Sequence, residues 1–361
     1  MSQVEVKPTE SGSPGGDMMK AVIHTRYGSP DVLEFKEVAK PVPNDVRGVL
    51  VKIHASSVNP ADYYQMGAPF IIRLVMRGGM RKPKDPRLGT DMAGHVEAVS
   101  KTVTQFKPGD EVFGVANGSY AEYATAREDR LALKPANSSF EEAAAVPIAG
   151  LTALQALRDK GGIQPGQKVL INGAGGGVGT FAVQIAKSFG GEVTAVTSTQ
   201  NLEMVRSLGA DHVIDYTKED FSKNGQRYDL IVDIAAARSI GSYKRALVPK
   251  GTLVVVGARD KILARLVYFA VLGRLIPKGG RKLRFFIAKA NQKDMNTLKE
   301  LVDNGKVKSV IDSRYSLAKT GEAMRLLHEG QARGKIIIQV NDSGETEQQK
   351  ILRQLDELRK K

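Results

Sequence analysis

The sequence predicts an α/β fold in which a doubly wound parallel sheet is joined to a partly open β-barrel. Three observations lead to this prediction. Short β-rich runs broken by Gly, Pro and Asp fill residues 20–140, which is typical of a barrel. Strand and helix patterns then alternate from Lys168 onward, which is the order of a parallel sheet with crossover helices. At Lys168–Asn172 an apolar strand pattern leads directly into a glycine cluster and a helix.

The first part of the chain carries the barrel strands. Met19–His24 is a short apolar run, and Val49–Ser56 alternates and is rich in β-branched residues. Further strands are predicted at Gly94–Val99 and Glu111–Val115. Phe140–Leu157 is rich in Ala and Leu and predicts a helix that ends this part.

The second part of the chain alternates between strand and helix patterns. Strands are predicted at Lys168–Asn172, Glu192–Thr197, Val213–Asp215, Leu230–Ile234 and Thr252–Val256, with helices at Val178–Phe189, Asn201–Leu208 and Ser239–Leu247. After about residue 285 the elements are mixed, and the last strand is predicted at Lys335–Val340.

These patterns predict four regions. A disordered leader covers 1–17, and the parallel sheet covers 151–285. The barrel domain is built from 18–150 and 286–341. A charged C-terminal segment at 342–361 carries an apolar stripe, so it is either a docking or dimerising helix or a frayed tail.

Composition limits the classes of function. The 361 residues contain no cysteine, which excludes disulfides, thiol nucleophiles and cysteine-ligated metals. The formal charge of +14 is concentrated in the basic stretches 73–87 and 258–289, which form either a solvated basic face or a surface that attracts anions. Apolar residues beside the basic ones, at 71–76 and 263–272, are expected to wall a pocket, pack as a lid or rest on a membrane surface. Nucleic acid is a disfavoured partner because aromatic interleaving and binding motifs are missing from the sequence.

Location is predicted from the same features. The leader has no apolar core for a signal peptide, and no run of apolar residues is long enough to span a bilayer. We therefore expect a cytoplasmic protein, with attachment to a membrane surface as the alternative.

The segment VLINGAGGGVGTFAVQIAK (169–187) carries the predicted chemistry. Small residues are needed here because the chain must turn tightly and bring backbone N–H groups against a pyrophosphate, which then faces the positive end of a helix. The order of strand, glycine cluster, helix and further βαβ units predicts a dinucleotide site. Its candidate residues are Ala174, Gly175, Gly176, Gly177, Val178 and Gly179.

The cofactor is predicted from the end of the second strand, about 20 residues further on. Enzymes that use NAD place a carboxylate there, whereas this chain has Ser198, Thr199, Gln200 and Asn201. Because a carboxylate would repel a 2′-phosphate, its absence favours NADPH, with Ser198 and Thr199 as hydroxyl donors. Acceptance of both NADPH and NADH remains open.

Seven motifs follow one another along residues 19–340: SSVNPADYY (56–64), LGTDMAGHVEAV (88–99), FKPGDEVFG (106–114), AAVPIAGLTALQAL (144–157), INGAGGGVG (171–179), LGADHVIDY (208–216) and RGKIII (333–338). Through these motifs the chain resembles the medium-chain dehydrogenase/reductase superfamily, in its zinc-free quinone-oxidoreductase branch. It is also similar to the group of mitochondrial reticulon-interacting proteins and plant envelope quinone reductases. The resemblance implies a Rossmann domain, a GroES-like catalytic domain and frequent dimerisation through an edge of the dinucleotide domain.

Comparison with the zinc alcohol dehydrogenases of this superfamily implies that no metal is bound. Asn59 and Thr90 stand where those enzymes have a Cys and a His ligand, and Ile148 stands near the remaining Cys. The five histidines show no metal-ligand spacing. A site without zinc suits acceptors that are already electron-poor.

The resemblance also implies roles for single residues. Asn59 and Tyr64 border the nicotinamide and the substrate, and Thr152 contacts the nicotinamide ring. Tyr216 lies beside the 2′-phosphate, Gly334 and Lys335 close over the ribose and phosphates of the cofactor, and Gly257 belongs to the same site. Asn201 departs from the pattern, since many relatives have Lys or Arg there.

Two catalytic candidates have alternative interpretations. Tyr64 is either a proton donor or oxyanion partner or an aromatic wall of the cofactor site. Asp62 either orients its loop or contacts the substrate, or it forms a turn after Pro60.

The leading hypothesis is therefore an enzyme, an NADPH-dependent and zinc-independent quinone reductase, expected to be a homodimer. The first alternative is an alkenal or enone double-bond reductase with the same hydride geometry. The second belongs to another class: a non-enzymatic, NADPH-binding regulatory protein at a membrane surface.

Overall fold

The computed structural model describes residues 17–43, 47–67, 82–236, 238–256 and 280–340. Several predicted features lie outside this part of the chain: most of the leader, Gly257, the apolar segments 71–76 and 263–272, and the C-terminal segment.

The predicted fold class is confirmed, because one parallel sheet and one mainly antiparallel sheet organise the chain. The strands are β1 Met18–His24, β2 Leu33–Ala39, β3 Gly48–Ser57, β4 Asp91–Val99, β5 Glu111–Val115, β6 Tyr123–Arg127, β7 Leu131–Leu133, β8 Lys168–Asn172, β9 Glu192–Thr197, β10 His212–Asp215, β11 Tyr228–Asp233, β12 Leu247–Val255, β13 Lys282–Phe285, β14 Ile311–Ser316 and β15 Lys335–Gln339. The helices are α1 Pro60–Gly67, α2 Phe140–Ala144, α3 Pro147–Leu154, α4 Gly177–Ser188, α5 Leu202–Ser207, α6 Ile240–Ala246, α7 Gln292–Asp303 and α8 Thr320–Glu329.

The six-stranded parallel sheet has the order β10-β9-β8-β11-β12-β13. The chain winds outward in one direction from β8 and in the other from β11, so the topological switch point lies between these two strands. Ligands of such sheets bind outside the carboxyl ends of the strands at this point. Here the Asn172 side chain at the end of β8 donates to Asp233 at the end of β11, with 2.7 Å between Nδ2 and Oδ1.

The other large sheet has the order β14-β15-β3-β4-β5-β7, and β6 also pairs with β3. β15 comes from the end of the described chain but pairs with β3 near its beginning, through Ile337–Ser57 and Gln339–Ala55. This pairing brings the turn before β15 next to the glycine loop, where Gly176 and Gly334 form an isolated parallel bridge.

The helix predicted over Phe140–Leu157 is wrong as a single element. A capping box of Ser139 and Glu142 starts α2, and Pro147 begins α3 as a separate helix. Proline fits the first turn because its missing N–H has no partner there, whereas in a helix interior it breaks the hydrogen-bond ladder. A π-helical stretch at Gln155–Gly161 follows α3.

The largest cluster of buried apolar residues packs the parallel sheet against its helices. Strand residues such as Val169, Ile171 and Val193 lie against Phe181 and Val183 of α4, all fully buried. This core fixes the direction of α4, so that its first turn faces the carboxyl edge of the sheet.

Candidate active site

The glycine loop connects β8 to α4. Its backbone turns at Gly173, whose φ of 93° is a conformation that favours glycine. Gly176 is the N-cap of α4 and has extended dihedral angles. A Cβ at Gly179 would lie 2.2 Å from the Gly173 carbonyl oxygen, so only glycine lets the helix approach the strand this closely. The loop therefore presents the N-terminus of a twelve-residue helix to anions, as the sequence predicts.

A cleft of about 300 Å³ opens in front of this loop. It runs along the carboxyl ends of β8, β9 and β11 and reaches the barrel domain at Asn59. The residues that line it are Val58, Asn59, Pro60, Ala149, Asn172, Gly173, Gly175, Gly176, Gly177, Val178, Thr197, Ser198, Asn201, Tyr216, Ile234, Ala235, Leu327, Gly330, Ala332, Gly334 and Lys335.

One end of the cleft lies at the end of β9. Ser198, Asn201 and Tyr216 line it, and the Asn201 amide donates to the Ser198 hydroxyl at 3.2 Å. The side-chain carbonyl oxygen of Asn201, Oδ1, is buried and has no hydrogen-bond partner in the structure. An orphaned buried polar atom at the wall of a cleft suits a bound ligand. The residues present thus fit a dinucleotide with its adenosine end here.

Thr199 is turned away from this end. Its hydroxyl donates to Asp215 at the end of β10, with 2.5 Å between the oxygen atoms. The serine of the predicted pair faces the cleft, whereas the threonine ties two strand ends together.

The opposite end of the cleft is a buried polar network around Asp91. One carboxylate oxygen of Asp91 accepts from the Ile148 backbone N–H at 2.9 Å. The other accepts from the Ser57 hydroxyl at 2.7 Å and from Asn59 Nδ2 at 2.8 Å. The Lys335 ammonium lies 3.3 Å from that oxygen and 2.7 Å from Asn59 Oδ1. Asp91 and Lys335 are 0% and 3% exposed, so this is a buried ion pair.

Asp62 forms a second buried cluster beside the first. Its carboxylate accepts from the Asn59 backbone N–H at 2.9 Å, from Thr90 Oγ1 at 2.9 Å and from the Tyr120 hydroxyl at 2.8 Å. Burial, together with the nearby Asp91 carboxylate, raises the pKa of Asp62 to about 6, against the lowering effect of the hydrogen bond from Tyr120.

Comparisons with known proteins identify the family. The model of the alcohol dehydrogenase GroES-like domain matches residues 45–136, and that of the zinc-binding dehydrogenases matches residues 208–338. A 2-methylene-furan-3-one reductase of Solanum lycopersicum is 37% identical over 341 residues, which cover 89% of this chain and 79% of the relative. The chain belongs to the medium-chain dehydrogenase/reductase superfamily, in its quinone-oxidoreductase branch.

Two further similarities agree with this membership. A mitochondrial NAD(P)H oxidoreductase of Danio rerio, RTN4IP1, is 32% identical over 90% of this chain and 92% of its own length. The solved quinone oxidoreductase of Coxiella burnetii superposes with a TM-score of 0.77 at 29% identity, covering 90% of this chain and all of that one. The chain is therefore an oxidoreductase of a family that uses NAD(P)H.

Most of the predicted site residues lie at the cleft, and the others lie apart from it. The glycine loop, Asn59, Ser198, Tyr216 and the Gly334–Lys335 pair meet at the cleft, except that Ala174 and Gly179 are buried behind it. Asp62 contacts protein groups that hold the start of α1.

Thr152 and Tyr64 are not among the cleft-lining residues of the described chain. Thr152 lies one helical turn beyond Ala149, which does line the cleft. Tyr64 lies on α1, whose first residue, Pro60, lines it, and its ring meets Tyr63 edge-on.

Sequence reasoning missed Asp91 and Tyr120. Asp91 directly follows Thr90, one of the positions that match a zinc ligand, and an acid at that place could have been singled out. Tyr120 carried no such signal because its contact with Asp62 joins positions 58 residues apart. Lys335 was predicted at the cofactor phosphates, whereas its ammonium faces Asn59 and Asp91.

Metal and membrane features were searched over the described ranges. They contain no cluster of three or more His, Asp or Glu side chains placed to hold a metal ion. Within the same ranges, no helix has the length and apolar character needed to cross a membrane.

Proposed function

We propose that this protein reduces an electron-poor carbonyl acceptor, a quinone or a conjugated enal or enone, with NADPH and without zinc. The observation that supports this most directly is a single cleft that joins the glycine loop to the Asn59–Asp91–Lys335 network. A dinucleotide in that cleft has its pyrophosphate at the start of α4, and the polar network is at its other end.

The preference for NADPH is supported by the end of β9. Neutral side chains of Ser198, Asn201 and Tyr216 line the cleft there, and none of them repels a 2′-phosphate. Asp215, at the end of the adjoining strand β10, accepts hydrogen bonds from the hydroxyls of Thr199 and Thr217. Tyr216 is 47% exposed and can donate from its hydroxyl.

When bound, the cofactor supplies a hydride, and the chain supplies its surroundings. The glycine loop binds the pyrophosphate through backbone N–H groups and the helix end. Asn59 and Pro60 border the acceptor side, and the buried network keeps that wall rigid. A quinone or enone spreads the incoming negative charge over its conjugated system, and solvent can supply the proton.

The residue types at the metal position support a reaction without zinc. Asn59 is bonded to Lys335, Thr90 is bonded to Asp62, and Ile148 offers only its backbone N–H to Asp91. An amide, a hydroxyl and a sec-butyl group do not form a zinc site.

Reduction of conjugated enones is the second candidate, and one observation favours it. The relative named a 2-methylene-furan-3-one reductase is 37% identical, and the acceptor in that name is a conjugated ketone. Both candidates use the same hydride geometry, so they differ in the acceptor pocket alone.

The test is oxidation of NADPH and NADH with a panel of quinones, enals and enones, each with and without a strong zinc chelator. We expect turnover with NADPH that the chelator leaves unchanged, and the best acceptor decides between the two candidates. Loss of activity on chelation, with recovery on adding zinc, would contradict the zinc-free mechanism. Tight NADPH binding without turnover on any acceptor would favour the regulatory-protein alternative.

Three further parts of the proposal concern partners and location. We expect a homodimer and residence in the cytoplasm, although the Danio rerio relative is named mitochondrial; the alternative to a purely cytoplasmic protein is contact of the basic stretches 73–87 and 258–289 with anionic membranes. Flotation with anionic and neutral vesicles tests this alternative, since under it only anionic vesicles should carry the protein.

A further inference from the structure

We propose that Lys335 is a catalytic residue whose ammonium stabilises the negative charge that develops on the acceptor oxygen. The inference rests on the proposed function, because it names the group that completes the hydride-transfer site. Among the described residues that line the cleft, Lys335 carries the one cationic side chain.

The position of the ammonium supports this role. Lys335 Nζ is bonded to Asn59 Oδ1 at 2.7 Å, so it lies at the acceptor end of the cleft and away from the end of β9. Its aliphatic chain packs on the glycine loop, where a Cβ at Gly177 would lie 3.0 Å from Lys335 Cδ. The residue thus crosses from the cofactor-binding loop to the acceptor wall.

The hydrogen bonds of the ammonium leave room for an oxyanion. Its contacts with the Val58 carbonyl and the Asp91 carboxylate are both 3.3 Å, longer than the 2.7–2.9 Å of strong charge-assisted bonds. One of these N–H groups can therefore turn to a negatively charged acceptor oxygen while Asn59 Oδ1 keeps its shorter bond. Asp91 holds the lysine in place, since burying an unpaired ammonium is costly.

Hydride transfer to the acceptor needs no reagent other than the cofactor and water. A bound dihydronicotinamide would supply a hydride, that is two electrons and one proton. At an enone the hydride adds to the β-carbon, the carbon–carbon π bond shifts, and the electron pair moves to the carbonyl oxygen as an enolate. At a quinone the hydride adds to one carbonyl oxygen, and the electron pair moves through the ring to the other oxygen as a phenolate. Water then supplies the second proton, so Lys335 contributes charge and loses no proton.

The test compares Lys335→Met and Lys335→Arg with a matched control, Lys134→Met. Lys134 is another lysine of the barrel domain with a carboxylate partner: its side chain is 8% exposed and lies 3.2 Å from Glu111, which is 49% exposed. Lys134 is absent from the cleft lining, so its replacement reports the effect of losing a mostly buried ammonium and its ion pair at a position away from the cleft.

We expect Lys335→Met to lower kcat by a factor of roughly 10²–10³, the range seen when one donor to a developing oxyanion is removed. NADPH affinity, measured by fluorescence titration, should stay within about threefold. The loss should be larger for enones than for quinones, since quinones hold the charge better, and Lys335→Arg should recover part of it. Equal losses in Lys335→Met and Lys134→Met, or a loss confined to NADPH affinity, would overturn the proposal.

A second readout does not depend on turnover. 4-Nitrophenol, bound to the protein with NADP⁺, mimics the product oxyanion, and its absorption band shows whether it is ionised. We expect wild-type protein and Lys134→Met to bind the ionised form and Lys335→Met to bind it at least tenfold more weakly. Unchanged phenolate binding in Lys335→Met would overturn the assignment of Lys335, whereas a wild type that binds phenolate but reduces no acceptor would contradict the proposed function alone.

Discussion

At the scale of single residues, the two buried carboxylates of the site have different partners. Asp91 faces the Lys335 ammonium, so its negative charge is compensated within the protein. Asp62 receives hydrogen bonds from two hydroxyls and a backbone N–H, all of them uncharged. Because Asp62 is 0% exposed, its ionised form is the less favourable one, and this explains the direction of its pKa.

The Asp62 carboxylate should therefore make stability depend on pH. A group whose pKa rises on folding, here from 3.8 to about 6, stabilises the fold fully below pH 3.8 and loses that contribution as pH rises through 6. The change amounts to about 3 kcal/mol. Urea unfolding of wild type and Asp62→Asn between pH 4 and 7 measures it: wild type should lose stability relative to the variant.

The control for this prediction is Asp17→Asn, which removes an exposed carboxylate. Its stability should follow the wild-type curve at every pH. Parallel curves for wild type and Asp62→Asn would show that Asp62 does not titrate in this range.

At the scale of elements, the glycines between β8 and α4 are needed for different physical reasons. At Gly179 an added Cβ meets the Gly173 carbonyl, so this glycine is needed for packing. At Gly176 the nearest atom to an added Cβ is 3.9 Å away, and the backbone has a φ of −90° that any residue adopts. Gly176 is therefore needed for the ligand that the loop faces.

This difference predicts that Gly176→Asp folds but does not bind the cofactor. The carboxylate has space, yet it puts a negative charge where the pyrophosphate must lie, at the positive end of α4. We expect NADPH affinity to fall by at least about 100-fold, equivalent to 2.7 kcal/mol, with little change in Tm. Gly176→Ala should stay folded as the control, and unchanged NADPH affinity in Gly176→Asp would refute the phosphate loop.

The turn after β9 should decide between the two nicotinamide cofactors. Asn201→Asp is isosteric and adds one negative charge at the wall of the cleft, beside Ser198. We expect the affinity for NADPH to fall about tenfold or more, because like charges repel, while NADH affinity changes by less than about threefold.

Fluorescence titration of both cofactors measures this preference. Asn304→Asp, an exposed position at the end of α7, is the charge-matched control. An equal loss for NADPH and NADH in Asn201→Asp would place the 2′-phosphate away from this turn.

The sequence predicted these elements well where local patterns determine them. Glu111–Val115, Lys168–Asn172 and Glu192–Thr197 have the predicted bounds, since apolar runs and flanking Gly or Asp define short strands. The helix from Phe140 was predicted too long because Ala-rich composition outweighed the proline inside it. The contacts of Asp62 with Tyr120 and of Lys335 with Asp91 were beyond prediction, since they depend on how distant strands pair.

At the scale of the whole molecule, the return of the chain to its first sheet assembles the site. β15 follows the dinucleotide-binding elements in sequence but pairs with β3 of the barrel. The turn before it contacts both sides: Gly334 bridges to Gly176, and the Arg333 guanidinium donates to Gln200 after β9. A site made in this way uses residues from position 57 to position 335, which explains why motif spacing located the cofactor end better than the acceptor end.

A truncation tests what the C-terminal segment contributes to the site. Removing residues 341–361 keeps every described residue that lines the cleft, and it keeps the hydrogen bond from the Val340 N–H to the His54 carbonyl. We expect truncation after Val340 to leave NADPH affinity and turnover unchanged, as measured by titration and steady-state kinetics. A loss of either would show that residues 341–361 support the site.

The same truncation, combined with a variant of strand β13, tests which element forms the interface of the expected homodimer. Within the described chain, β13 has a strand partner on one side only, and its Phe285 is 41% exposed. An exposed aromatic side chain on the outermost described strand of this sheet suits packing against a second copy. Light scattering after size exclusion should give a dimer for the full chain and for the truncated chain, and a monomer for Phe285→Lys. A monomer on truncation alone would move the interface to the C-terminal segment, and a monomeric full chain would show that the dimer prediction is wrong.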